Sequence, residues 1–112
     1  ENHITMTSDA FGSLPQFDEE GNLIQLEMGL LTSLYDEWVD CIQQDHIPIQ
    51  TALKPITSNP ANILKLNSKG RIQTGMDADV LLIDKNLELQ GVIAMGKWLM
   101  KDKKHVVKGT YE

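Results

Sequence analysis

The stretch Thr7-Ser8-Asp9-Ala10-Phe11-Gly12-Ser13 holds the side chains best suited to chemistry. The alternating run His3-Ile4-Thr5-Met6-Thr7 leads into it and ends there in small and polar residues. At the end of a strand the scaffold is rigid while the side chains are exposed, and reactive groups collect at such places. Asp9 can act as a general base or a metal ligand, and Ser13 can orient an anionic group. Asp and Ser also occur at strand ends and helix caps for structural reasons. Taken alone, the residues leave both roles open.

The remaining reactive side chains point away from several enzyme classes. His3, His46 and His105 form no His-x-His or His-x-x-x-His pair, and there is no Cys-x-x-Cys, so the chain does not spell out a complete zinc site. Ser8 and Ser13 lack the G-x-S-x-G context of a hydrolase nucleophile, and nothing around Gly70 or Gly75 resembles a phosphate loop. Cys41 lies on the apolar side of a helical pattern and reads as a packed thiol. Asp36, Glu37 and Asp40 read as a solvated helix face. Lys101, Lys103, Lys104 and Lys108 read as charged turn and edge residues.

The elements that must position Asp9 and Ser13 follow from the residue pattern. Residues 3–8 predict a short strand and residues 9–18 a loop, with Gly12 and Pro15 as breakers. Glu20-Gly21-Asn22 predicts the turn of a small hairpin between residues 16–18 and 23–26. Leu31, Leu34, Tyr35, Trp38, Cys41 and Ile42 recur at steps of three and four, the apolar stripe of an amphipathic helix. Pro48 suits the first turn of a second helix running to about Lys54, where Pro55 stops it. Thr57-Ser58-Asn59-Pro60 predicts the start of a third helix through about Leu66, with Asn67 and Gly70 at its exit. Beyond Gly70 the period is strand-like. Residues 75–79 form a turn, and Val80-Leu81-Leu82-Ile83 is a continuous apolar run that predicts a strand buried on both faces. Residues 87–95 and 97–100 predict further strands, and Val106-Val107 a last short one. One strand, then helices, then several strands make an α+β order.

Composition narrows the function classes. The chain has 112 residues, enough for one domain, and a formal net charge of -6, which argues against nucleic acid as a partner. No apolar run approaches the roughly 18 residues of a membrane span, and no signal peptide is recognisable. The single cysteine excludes an internal disulfide and suits a reducing, cytoplasmic setting. The chain opens Glu1-Asn2-His3 without a methionine, as a processed natural N-terminus does and as a fragment of a longer protein does.

Two blocks carry a family resemblance. Ser58-Asn59-Pro60-Ala61-Asn62-Ile63-Leu64 followed by Lys69-Gly70-Arg71-Ile72-Gln73-Thr74-Gly75-Met76-Asp77-Ala78-Asp79-Val80-Leu81 resembles the closing section of the metal-dependent amidohydrolase superfamily. Ser8-Asp9-Ala10-Phe11-Gly12-Ser13, with Phe17-Asp18-Glu19-Glu20-Gly21-Asn22-Leu23, narrows the resemblance to the isoaspartyl (β-aspartyl) dipeptidases, as does the end of the chain from Gly96-Lys97 to Gly109-Thr110-Tyr111-Glu112. The resemblance implies the last strand and helix unit of a (β/α)8 barrel in residues 1–66. The C-terminal strands of a small β-sandwich would follow in residues 67–112, and the whole would be incomplete as a fold on its own. It implies that Asp9 ligates one of two zinc ions and relays a proton to the leaving amine. It likewise implies that Ser13 contacts the α-carboxylate of a β-aspartyl dipeptide and that Gly12 lets the loop approach closely. Phe11 departs from the small or polar residues of that loop and bears on dipeptide preference.

The family's other metal ligands, its His-x-His, carboxylated lysine and later histidines, have no counterpart in these 112 residues. The chain alone is therefore expected to hold no zinc and to be inactive, and its uncovered apolar faces predict a homo-oligomer. Two further readings stay open: another amidohydrolase, of deacetylase or dihydroorotase type, and a non-catalytic α+β interaction module.

Overall fold

A computed structural model describes residues 2–109; residue 1 and residues 110–112, the last part of the C-terminal block of resemblance, lie outside the described residues. The chain divides into two compact units, residues 1–59 and 60–112.

In the first unit, β1 (Ser13–Phe17) and β2 (Leu23–Met28) form an antiparallel hairpin. Helix α1 (Ser33–Gln43) follows and packs against α2 (Ile49–Leu53), which continues into a 3₁₀ turn at Lys54–Ile56. Helix α3 (Ser58–Ile63) comes next; its first two residues close this unit and the rest open the second. The hairpin is longer than the sequence predicts and takes in part of the expected loop. Pro15, read there as a breaker, pairs with Leu26. A two-stranded ribbon leaves one edge of each strand unpaired, and a residue without an N–H is tolerated on that edge. The turn is built by Asp18. Its carbonyl accepts the Gly21 N–H at 3.0 Å, and its Oδ1 accepts the N–H groups of Glu20 at 3.0 Å and Asn22 at 2.8 Å. Gly21 takes the left-handed conformation (φ 85°) that closes this type of loop.

The strand expected over residues 3–8 does not form. A strand exists only as part of a ladder, and here helical residues take up the polar groups instead. The Met6 N–H bonds to the Pro55 carbonyl at 3.1 Å. The Ile4 carbonyl accepts Asn59 Nδ2 at 2.8 Å. Asn59 is itself buried, so the Asn of the Asn-Pro-Ala motif pins the N-terminal segment onto the start of α3.

Helix α1 matches its prediction, but only Trp38 on its stripe is fully buried. The Trp38 ring lies 5.5 Å from that of Tyr35, tilted by 53°. Pro55 does not stop the second helical segment outright; it sits inside the 3₁₀ turn, whose first turn tolerates a residue without a donor. Helix α3 ends earlier than expected. Lys65 (φ 56°) takes the left-handed exit position, its N–H bonds to the Asn62 carbonyl, and the Leu66 N–H bonds to the Ala61 carbonyl at 2.8 Å. This is a Schellman close, so the exit is at Lys65 rather than at Asn67 or Gly70.

The second unit carries an antiparallel meander of β3 (Val80–Ile83), β4 (Leu89–Ala94), β5 (Lys97–Lys101) and β6 (Lys104–His105). The last strand falls on Lys104–His105 rather than on Val106-Val107. Asp84 organises the β3–β4 loop as Asp18 does the first hairpin, accepting the N–H groups of Asn86 at 2.8 Å and Glu88 at 3.0 Å. Met95 and Gly96, then Asp102 and Lys103, have positive φ in pairs, the geometry that matches strand twist in two-residue hairpin turns.

Strand β3 is not buried on both faces. Leu81 is 51% and Leu82 43% exposed. A continuous apolar strand signals a sheet covered on both sides, and the described residues of this unit supply one sheet layer. Among the described residues the fully buried apolar side chains are Trp38, Ala52 and Ala61. No helix of the described residues is long and apolar enough to cross a membrane.

The Gly75-Met76-Asp77-Ala78-Asp79 turn fastens this sheet. Asp79 Oδ1 accepts the Met95 N–H at 2.7 Å, and the Gly96 N–H bonds to the Ala78 carbonyl at 3.0 Å, so the β4–β5 turn is tied to the start of β3. Lys69 pairs with Asp79 and, at 3.0 Å, with Asp77, which also accepts Ser68 Oγ–H at 2.9 Å. The Lys69 ammonium holds both carboxyls below the usual carboxylate range, aided by Ser68 at Asp77 and by the Met95 N–H at Asp79. In turn Asp79, then Asp77, push the Lys69 ammonium up. The Asn22 N–H lowers Asp18 and the Glu88 N–H lowers Asp84. Carboxyls with folded values below their unfolded ones contribute stability above about pH 4 and lose it as pH falls further; a raised lysine contributes below about pH 10 and loses it above. Thermal melts across pH should therefore show a plateau from about pH 5 to 9 and a decline below about pH 4, with a shallower acid decline in Asp79→Asn.

Candidate active site

Asp9 stands at the end of the N-terminal segment in the left-handed conformation (φ 46°), which Asp tolerates better than most residues. The Asp9 N–H meets Thr7 Oγ1 at 3.4 Å and the Ala10 N–H meets Ser8 Oγ at 3.3 Å, so the hydroxyls before Asp9 shape its turn. The Asp9 carbonyl accepts the Gly12 N–H at 2.9 Å and closes a β-turn over Ala10 and Phe11. The Phe11 N–H bonds to the Gly29 carbonyl at 2.9 Å, and the Gly29 N–H to the Gly12 carbonyl at 3.0 Å. This turn is thus the base of the β1–β2 hairpin.

The Asp9 carboxylate lies over Gly12. A Cβ at Gly12 would stand 2.7 Å from Asp9 Oδ2, closer than side chains approach. Asp9 is exposed, and among the described residues its carboxylate has no hydrogen-bond partner. Ser13, the next residue after Gly12, is exposed at the start of β1, opposite Met28. The fold therefore brings Asp9 and Gly12 into direct apposition and sets Ser13 beside them along the chain. A cavity of about 170 Å³, lined by Met6, Thr7, Ser8, Ser33, Leu34 and Glu37, opens beside the residues preceding Asp9. A larger one, about 410 Å³ and lined by Lys65, Lys69 and Arg71 among others, includes none of these site residues.

Gly29 is the residue of this site that pattern reading missed. Its one signal is a lone glycine closing a strand, which often marks a close backbone approach. Cys41 stays outside the chemistry. Burial pushes its thiol up, and the charges of Glu37, Asp45 and Asp40 push it further, opposite to what a nucleophile needs. Among the described residues no three His, Cys, Asp or Glu side chains gather as a metal site. The exposed Asp9 carboxylate is chemically able to fill one ligand position of a metal ion.

Residues 2–99 match the amidohydrolase family, and the chain belongs to that family. It is similar to the β-aspartyl dipeptidase of Fervidobacterium islandicum AW-1, solved in complex with a β-Asp-Leu dipeptide, at 36% identity over 97% of this chain and with a TM-score of 0.86. A second structure of β-aspartyl dipeptidase from F. islandicum AW-1 matches 74% of the chain at 33% identity and a TM-score of 0.67. The N-acetylglucosamine-6-phosphate deacetylase of Pasteurella multocida shares the fold over 87% of the chain, at 16% identity and a TM-score of 0.64. The chain spans 29%, 22% and 30% of the lengths of these three proteins. The similarity to the first of these β-aspartyl dipeptidase structures thus runs through almost the whole chain, as the sequence blocks imply.

Proposed function

We propose that this chain is the C-terminal part of a zinc-dependent β-aspartyl dipeptidase and supplies one wall of its active site. The observation that carries this reading is the 36% identity over 97% of the chain to a β-aspartyl dipeptidase that binds β-Asp-Leu. The exposed, unpartnered Asp9 carboxylate supports it. In this reading residues 1–66 belong to the barrel and residues 67–112 to the β-sandwich.

Asp9 would help to hold the zinc, and its carboxylate takes a proton from the attacking water and passes it to the amine that leaves as the C–N bond breaks. Zinc, when bound, supplies Lewis acidity at the scissile carbonyl. The Ser13 hydroxyl donates to the substrate α-carboxylate, and Gly12 keeps the floor of the turn low enough for close approach. The 112 residues alone are inactive, because Asp9 is a single donor. The single cysteine suits the cytoplasm. Exposed Phe17, Ile24, Leu26 and Met28 on the hairpin favour association into oligomers.

The test is a substrate panel on the longer enzyme that contains this chain. β-Asp-Leu should be cleaved, and α-Asp-Leu and N-acetylglucosamine 6-phosphate should not. Deacetylation of the amino sugar with no dipeptide cleavage would overturn the reading in favour of the deacetylase alternative. β-Asp-Leu hydrolysis by the pure 112-residue chain would overturn the assignment of the remaining zinc ligands to outside it.

A further inference from the structure

We infer that Gly29 is a positioning residue for Asp9, forming with Gly12 a two-glycine clamp that sets the carboxylate. The inference rests on the reading of Asp9 as the catalytic and metal-binding carboxylate. The two glycines leave room for different parts of the same residue, and a side chain at either would displace it. Gly12 faces the side chain, where a Cβ would meet Asp9 Oδ2 at 2.7 Å and Cγ at 2.8 Å. Gly29 faces the main chain, where a Cβ would meet the Asp9 carbonyl oxygen at 2.6 Å and the Ser8 carbonyl oxygen at 3.4 Å.

Gly29 is buried, and its φ lies outside the left-handed region, so space rather than conformational freedom requires a glycine there. Two backbone bonds fix Gly29 against this turn: its N–H on the Gly12 carbonyl at 3.0 Å, and its carbonyl accepting the Phe11 N–H at 2.9 Å. The β1–β2 hairpin is the device that brings these glycines face to face, because its strands leave from Gly12 and return to Gly29. A carboxylate must be held within about half an ångström of its working position. The clamp supplies this without a hydrogen bond to the carboxylate, so both oxygens stay available to metal and proton.

Gly21 provides the control. It belongs to the same hairpin, but nothing lies within 4 Å of a Cβ there, and its φ of +85° makes alanine strained. Gly21→Ala thus weakens the hairpin at its tip without touching Asp9. In the longer enzyme, Gly29→Ala should lower kcat for β-Asp-Leu at least tenfold with little change in KM, and should lower the bound zinc per chain. Gly21→Ala should lower the melting temperature and leave kcat and zinc content near wild type. Gly12→Ala, pressing on the carboxylate itself, is the second variant should Gly29→Ala not fold.

A readout without metal or substrate is NMR of the metal-free longer enzyme, isotopically labelled within these 112 residues. Gly29→Ala should shift the Asp9 and Gly12 amide resonances and change the Asp9 HN–Hα coupling that reports φ, while Gly21→Ala leaves them in place. Wild-type kcat in Gly29→Ala, or an equal loss of kcat in Gly21→Ala, overturns the clamp. If the wild-type enzyme cleaves no β-Asp-Leu, the functional reading fails, and the NMR comparison still decides whether Gly29 sets the conformation of Asp9.

Discussion

Asp9→Asn should lower β-Asp-Leu hydrolysis by the longer enzyme about 10²–10⁴-fold, the range that a positioned proton-transfer group contributes. Asparagine is the informative replacement. At φ 46° an alanine would add backbone strain, whereas Asn tolerates that conformation and keeps the side-chain shape over Gly12. It removes the negative charge and the capacity to carry the proton. Because Asp9 is exposed and its carboxylate is unpartnered among the described residues, the stability change should stay within about 0.5 kcal/mol. The check is kcat, zinc content and melting temperature measured on the same preparation. A variant that keeps wild-type kcat would remove Asp9 from the mechanism. Lost kcat with a large fall in melting temperature would make Asp9 a structural residue of the hairpin base.

Trp38→Ala should have the largest effect on stability, about 3–5 kcal/mol for a buried aromatic. Trp38 is 2% exposed and stacks at a tilt on Tyr35. It lies on α1, whose neighbour α2 contributes the buried Ala52. Few other side chains share that load. The cost should be smaller for Trp38→Phe than lost volume alone suggests. The Trp38 indole N–H is buried with no hydrogen-bond partner among the described residues. An unsatisfied buried donor costs about 1–3 kcal/mol, and phenylalanine removes it. Urea unfolding followed by circular dichroism separates the two variants. A loss below about 1 kcal/mol for Trp38→Ala would mean that Trp38 is not a structural centre of this unit.

Much of this protein is legible from residue pattern. Local periodicity specifies α1, because its apolar stripe and polar face follow from helix geometry alone. Turn chemistry specifies the hairpin at Asp18–Asn22 and the strands on either side of Gly96, because each turn draws on side chains within a few residues. Asp9, Gly12 and Ser13 stand out as residue types before a turn, but their pattern does not separate function from capping. The proposal of a function for them comes from the blocks of resemblance, which lie in order along the chain.

Other features depend on partners far away in sequence, and these were decided by tertiary structure. Residues 3–8 alternate like a strand, yet their polar groups are satisfied by Pro55 and Asn59, and no ladder forms. Strand β3 has the apolar run of a doubly covered strand and half-exposed leucines, because coverage belongs to neighbouring layers and not to the strand itself. Asp77 and Asp79 read only as turn residues until Lys69 and the Met95 N–H are placed beside them. In the linear pattern Gly29 is only a lone glycine after a strand; what it approaches is decided when the hairpin folds back and lays it against the Asp9 carbonyl. The sequence by itself determined which groups can do chemistry and which segments can be helical or turn-forming, because those properties are local. Only the tertiary structure decided how Asp9 is held, because close approach between backbones distant in the chain is a property of the folded whole.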